Sequence, residues 1–240
     1  MRSSGSRLAE RGCSIKDDWR VRVDDFVARY PRLFHMTSSS AWPTIERHGL
    51  RSVTAILDLM YIDSDRRGRI EAERRPDTVR LSDADIGEFE IRDQKPLHAG
   101  KLAGCLTDMT VTQWLQLLNR KVFFWPTEQR VDELLGAGEY KDREHLVLVV
   151  RTSSLVAIHG PEITLAPINT GSVLYAPAPR GSGTLVGIAE YAYEESRRRR
   201  GSRKAIAEVA VDYAVPDIQN HIVRVERRQH GRAVQVLAGL

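Results

Sequence analysis

The sequence predicts an α+β domain, with mixed sheets, flanking helices and inserted loops. Three observations lead there. "HLVLVVR" (145–151) is an unbroken apolar run of the kind a central strand needs when both of its faces are buried. "LFHMTS" (33–38) and "KAIAEVAVD" (204–212) instead alternate in character along the chain, as strands with two different faces do. Between these runs lie stretches with apolar residues at helical spacing, such as Trp114, Leu115, Leu117 and Leu118, or Val131, Leu134 and Leu135. With 240 residues, 42% of them hydrophobic, the chain can bury a core well above the marginal size.

Taken in order, residues 1–18 read as a flexible N-terminal tail and 19–240 as a single domain. "DWRVRVDDFVARYP" (18–31) predicts a first helix through Val21, Phe26 and Val27. In the strand that follows, His35 and Thr37 share one face while Phe34 and Met36 share the other. Three serines supply helix N-caps, and a short helix containing Trp42, Pro43 and Ile45 closes at Gly49. The polar pair, backed by an apolar pair and pinned by a helix, predicts one wall of a pocket. Residues 52–68 are helical in pattern, with Ile56, Leu57 and Met60 as the apolar set. Residues 63–95 are dense in charge and predict an insertion of helix and loop. "LAGCLTDMTVTQWLQLLNRK" (102–121) reads as one helix. "KVFFWPTEQRVDELLGAGEY" (121–140) starts as a strand, breaks at Pro126 and resumes as a helix. After the central strand, residues 162–175 add a strand and a glycine turn, and 176–188 are loop-rich. The C-terminal part predicts a strand, a short helix opened by Pro216 and an edge strand.

Composition and missing motifs narrow the chemistry. No apolar run approaches the roughly 20 residues of a membrane span, and no secretory signal is visible, so the expected location is the cytoplasm. Cys13 and Cys105 are too few and too far apart for a disulfide framework. There is no P-loop signature and no G-x-S-x-G elbow, and "GSGTLVG" (181–187) has the wrong spacing for a dinucleotide fingerprint. The seven histidines show no metal-ligand spacing, so no metal is expected. Net charge is +4 with a pI near 9.2. "RRRRGSRK" (197–204) carries six cations in eight positions, a solvated loop or a phosphate-binding block.

Glu208 is the positive signal. Strand alternation puts it on a face with Ile206 and Ala210, and a carboxylate among small apolar neighbours costs stability unless it is partnered or used. "HMTSSSAWPTIERHGL", "VFFWPTEQR" and "RKAIAEVAVDYAVPDIQNHIVRVE", in that order, resemble three segments of the DarT-type ADP-ribosyltransferases, bacterial toxins similar in fold to poly-ADP-ribose polymerases that attach ADP-ribose to DNA bases. The resemblance covers about a third of the chain. "RDQKPL", "LNRKVFFWP" and "PINTGS" also resemble motifs of a bacterial relative of that family. The resemblance implies an ADP-ribosyltransferase-like fold, NAD as co-substrate, Glu208 as the catalytic carboxylate and an antitoxin or hydrolase as partner.

Breaking the bond between ribose and cationic nicotinamide passes through an oxocarbenium-like state akin to that of glycoside hydrolysis. The His35/Thr37 face suits the grip on ribose hydroxyls. Phe124 and Trp125, from the run Phe123–Trp125, suit an aromatic wall against the flat cation, and Glu208 suits the anion beside the forming positive charge. Arg130 is the expected pyrophosphate ligand, although it lies three residues later than the family's arginine; Arg51 and Arg180 are the alternatives. Asn169 and Thr170 read as turn residues, His48 as a partner of the last helix carbonyls, and Trp42 and Trp114 as core. Arg197, Arg198, Arg199 and Arg200, with Tyr191 and Tyr193 upstream, match the arginine-plus-aromatic pattern for single-stranded DNA or RNA as acceptor, and a protein with an acidic face would also fit. Two other readings stay open: a non-catalytic nucleic-acid-binding module on the same fold, and an NAD hydrolase or RNA 2′-phosphotransferase-like enzyme.

Overall fold

The computed structural model describes residues 22–138, 140–174, 177–230 and 232–239. The expected tail, with Cys13, lies outside them. Helix α1 (Val23–Arg29) packs Phe26 inward and leads into β1 (Arg32–Ser38), α2 (Trp42–His48), β2 (Leu50–Arg51) and α3 (Val53–Leu59). Next come α4 (Ser64–Ala72), the hairpin β3 (Val79–Asp83)–β4 (Gly87–Ile91), α5 (Ala99–Ala103), α6 (Val111–Asn119), β5 (Lys121–Phe124) and α7 (Glu128–Leu135). The chain continues through β6 (His145–Arg151), α8 (Thr152–His159), β7 (Ile163–Ala166), β8 (Val186–Gly187) and α9 (Tyr193–Arg200). It finishes with β9 (Glu208–Asp212), β10 (Ala214–Val215), β11 (Ile222–Gln229) and β12 (Arg232–Gly239).

Two four-stranded antiparallel sheets organise these elements, in the orders β1-β6-β11-β12 and β5-β9-β7-β8. The main core lies between them. Leu33, Leu146, Leu148 and Val150 from the first sheet meet Val122, Phe124, Val209 and Val211 from the second. The opposite face of the first sheet carries Phe34, Met36, Val147 and Val149 against Val131 and Leu135 of α7. Strand β6 is therefore covered on both sides, the physical reason for its continuous apolar run. The outer face of the second sheet, with Ala166 and Ala210, is covered by Trp114, Leu115 and Leu118 of α6.

Several elements depart from expectation for local reasons. The helix expected over 52–68 is two helices, because Tyr61 adopts φ 50° and the Asp63 side chain accepts the Arg66 amide to cap a new start. The helix expected over 102–121 is likewise split. Thr110 and Gln113 form a capping box that begins α6 afresh, while Asp108 is drawn away by the amide and hydroxyl of Ser182. The charged insertion is not helix and loop alone: β3–β4 pairs from Val79–Ile91 to Asp83–Gly87 and shares a small core with α3 and α4 through Ile56, Leu57, Ile70, Leu81 and Ile91. The loop expected at the arginine run is the second half of α9. Strand β11 is not an edge; β12 covers it and leaves Val234 and Val236 exposed. The serines before α2 do not cap it, since its N-cap is Ala41.

Gly49 ends α2 at φ 74°, ψ −177°, a region nearly reserved for glycine, and a Cβ there would lie 2.4 Å from Pro216 Cα. Gly49→Ala is expected to cost about 2–4 kcal/mol, read as a lower urea midpoint at unchanged m-value.

Candidate active site

Strands β1 and β5 are edge strands of different sheets. They meet at one backbone pair, in which Phe34 N–H donates to the Trp125 carbonyl (3.0 Å) and Trp125 N–H to the Phe34 carbonyl (2.7 Å). Beside this bridge, His35 Nδ1 lies 2.8 Å from the Phe123 carbonyl. A carbonyl only accepts, so Nδ1 carries the ring proton and Nε2 is left as an acceptor. Burial pushes His35 down to about 4, with the Arg92 charge adding to it against the pull of the Phe123 hydrogen bond, so the ring is neutral at pH 7.

Where the sheets part, a cavity of about 740 Å³ opens, lined by His35, Thr37, Phe123, Trp125, Arg130 and Glu208 among others. That volume is within the range of small-molecule sites. Strand register explains the grouping: Phe123 lies opposite Ala210, and Glu208 is two residues from Ala210 on the same face. His35 and Glu208 thus border one space, with backbones about 10 Å apart by strand geometry. Phe124 does not line this space. It points into the core between the sheets, fully buried, with its ring 5.7 Å from that of His35. Of the aromatic run, the alternate members Phe123 and Trp125 face the cavity.

Glu208 is 4% exposed, the first residue of an inner strand. Its Oε2 accepts the Thr170 amide (3.0 Å) and the Thr170 hydroxyl (2.6 Å), whereas Oε1 accepts no hydrogen bond from a described residue. Burial pushes the carboxyl up to about 7, outweighing those two bonds and the charges of Arg130 and Arg180. The Thr170 loop is held from behind by Arg180, whose Nη1 donates to the carbonyls of Thr170 (3.2 Å) and Ser172 (3.0 Å). Thr170 is therefore more than a turn residue, and Arg180 is committed to this loop instead of an anion.

Arg130 reaches the cavity because α7 is clamped by its other face: Glu128 and Asp132 both bind the buried Arg228 of β11. Arg130 lines the cavity, and its Nε is buried without a hydrogen-bond partner among the described residues. Arg51 also lines the space, with its Nε on the His48 carbonyl. The hairpin supplies a further wall through Arg80, Glu88 and Glu90. His48 and Thr44 of α2 hold it by bonds to the carbonyls of Ile86 (2.8 Å) and Glu88 (2.9 Å), so His48 does not serve its own helix end. Arg92, just beyond β4, lies 4.6 Å from the Tyr140 ring centroid. In sequence the charged insertion reads as helix and loop, with nothing to mark it as a wall of the cavity.

The basic block stands elsewhere. Arg197, Arg198, Arg199 and Arg200 are exposed on α9 and do not line the cavity, and Arg197 and Arg199 pair with Glu194 (2.7 Å) and Glu195 (2.8 Å). Tyr191 and Tyr193 are each 3% exposed, so neither ring can stack on a base. Tyr191 donates to the Ala205 carbonyl, and Tyr193 packs under Arg29 at 4.9 Å. Trp114 is core as expected, under the second sheet, whereas Trp42 is partly exposed and packs against the main core between the sheets.

The folded pKa of Glu208 lies above its usual 4.5, so between pH 4.5 and about 7 the native chain holds a proton that the unfolded chain has released. Stability from this group falls as pH rises through that window. Glu208→Gln is expected to be more stable than wild type at pH 8 by roughly 3 kcal/mol, with the difference vanishing below pH 4.5. Paired urea unfolding curves at the two pH values check it.

Among solved structures, Thermosipho africanus DarTG in complex with ADP-ribose matches with 13% sequence identity and a TM-score of 0.42, over 82% of this chain and 43% of that one. This chain therefore spans less than half the length of that protein. No curated protein matches the sequence. Among the described residues no helix is long and apolar enough to cross a membrane. The model of a family of unknown function, DUF7002, matches residues 31–222, from the residue before β1 to the first residue of β11 and including both His35 and Glu208, and the chain belongs to that family.

Proposed function

We propose that the chain is an NAD-dependent ADP-ribosyltransferase that modifies a nucleic-acid base. The observation that carries the reading is Glu208: a buried carboxylate with one oxygen tied by Thr170 and the other unclaimed, facing the space bordered by neutral His35. The motif resemblance around both residues agrees with it.

In this reading the His35 Nε2 and the Thr37 hydroxyl hold ribose hydroxyls; a neutral imidazole with its proton fixed on Nδ1 is suited to accept from one. Phe123 and Trp125 flank the flat nicotinamide ring, whose positive charge favours aromatic faces by about 1 kcal/mol per contact. Arg130, which lines the cavity, meets the pyrophosphate. NAD supplies the ribose–nicotinamide bond that breaks. Glu208, ionised, stabilises the positive charge that develops at the ribose and takes the proton released by the attacking base. Arg198 and Arg200, which make no ion pair among the described residues, offer phosphate contacts outside the cavity, while the net charge of +4 favours a polyanionic acceptor.

The test is nicotinamide release from NAD, with and without pools of single-stranded DNA or RNA. Wild type is expected to release nicotinamide only with its acceptor, and to mark that acceptor. Glu208→Gln is expected to be slower by about 10²–10⁴-fold. The kcat/KM of wild type is expected to rise with pH through about 7, as Glu208 loses its proton. His35→Ala is expected to raise KM for NAD about tenfold or more with a smaller effect on kcat. Release without any acceptor would instead mean hydrolysis, and nucleic-acid binding with no release under any condition would reduce the protein to a binding module.

A further inference from the structure

Away from the cavity, the end of α8 and the segment before β11 bring together three side chains that the proposed reaction does not use. His159 Nε2 lies 2.6 Å from Asp217 Oδ1, and His221 Nε2 lies 3.1 Å from Asp217 Oδ2. The donor atoms of all three residues fall within 4.8 Å of one another, and the two rings stand nearly perpendicular with centroids 5.6 Å apart. His221 is buried, whereas the Asp217 side chain is 29% exposed, leaving one side of the cluster open to solvent.

Hydrogen accounting makes this cluster unusual. The Ser154 hydroxyl donates to the Arg151 carbonyl (3.1 Å), so toward His221 Nδ1, also at 3.1 Å, its oxygen accepts. His221 therefore carries its ring proton on Nδ1. In the neutral ring Nε2 then bears no hydrogen, yet it faces a carboxylate oxygen at hydrogen-bond distance. With that tautomer, two lone pairs face each other across this contact. A cation placed there satisfies both, and the Ser154 bond is the outer partner that orients a metal-ligating imidazole. An extra proton on the ring would relieve the same conflict, and the test below separates the two.

We propose that His159 Nε2, the Asp217 carboxylate and His221 Nε2 bind one divalent transition-metal cation, with zinc the best fit and a water in the remaining position. Two imidazoles and a carboxylate suit zinc over calcium or magnesium, which prefer all-oxygen sets. Zinc–ligand bonds of about 2.0–2.1 Å place tetrahedral donors about 3.4 Å apart, so the observed spacing needs only small side-chain shifts. The ion would fasten the end of α8 to the 216–221 segment. That segment braces the cavity floor, since Pro216 packs on Gly49 and the Gln219 side chain donates to the carbonyls of Ile45 (3.1 Å) and Glu46 (2.6 Å) in α2.

The experiment uses the untagged full chain, stripped with a chelator and titrated calorimetrically with zinc chloride. One zinc per chain is expected, with a rise in Tm of about 5 °C or more at saturation. Affinity should fall at least 100-fold in His159→Gln/His221→Gln and about tenfold in Ser154→Ala. Cobalt substitution of wild type gives a second readout independent of how the variants fold: a visible ligand-field band without the thiolate charge-transfer band that Cys13 or Cys105 would produce. No zinc uptake and no cobalt band in wild type, a cobalt spectrum with thiolate character, or equal affinity in wild type and the folded double variant would overturn the proposal and leave a hydrogen-bonded triad.

Discussion

The backbone pair between Phe34 and Trp125 is the constraint on which the rest of the site depends. Continued pairing of β1 with β5 would merge the two sheets into one. Without any pairing, His35 and Glu208 would belong to unrelated surfaces. The bridge stops after one pair for identifiable reasons. Just past the bridge, Pro126 turns the chain out of the strand and α7 starts at Glu128. On the other side the Phe123 carbonyl is taken by the His35 ring instead of by backbone. The cavity opens beside this junction, lined by residues of both strands together with α2, α7 and the β3–β4 hairpin.

A buried carboxylate is tolerated at this junction because its surroundings are organised around it. Thr170 supplies two donors to one oxygen of Glu208, and Arg180 holds the Thr170 loop through three of its carbonyls, those of Asn169, Thr170 and Ser172. These bonds do not cancel the desolvation, which is why the carboxyl titrates near neutrality and not near 4.5. A group held in that balance, beside a histidine kept neutral by burial, is the pattern expected of acid–base chemistry more than of a structural ion pair.

Elements outside the two sheets complete the walls by polar clamps. Arg228, 4% exposed, is bound by Glu226, Glu128 and Asp132, which fixes α7 and turns Arg130 inward. Breaking one partner of such a buried cation leaves uncompensated charge, so this clamp is tightly coupled to the cavity it shapes. On the opposite side α2 holds the β3–β4 hairpin through Thr44 and His48. The α2 clamp lies within the family match at residues 31–222, whereas Arg228 and Glu226 lie just beyond it.

Local pattern determined what depends on local physics. The alternation in Phe34-His35-Met36-Thr37, the apolar run at 146–150, the break at Pro126 and the placing of Glu208 on a strand all follow from side-chain period and backbone chemistry, and all are present in the fold. Alternation also implied that only some of Phe123–Trp125 could face a pocket, but which ones depends on the strand's position between two cores. Tertiary structure alone decided that Phe124 is core, that Tyr191 and Tyr193 are buried, and that the charged insertion forms a wall. It also brought Thr170 to Glu208 across 38 residues and His159 to Asp217 across 58. No period or spacing records such meetings. They arise when packed sheets and helices bring distant segments together, and short polar side chains then find whichever partner the fold has placed within reach.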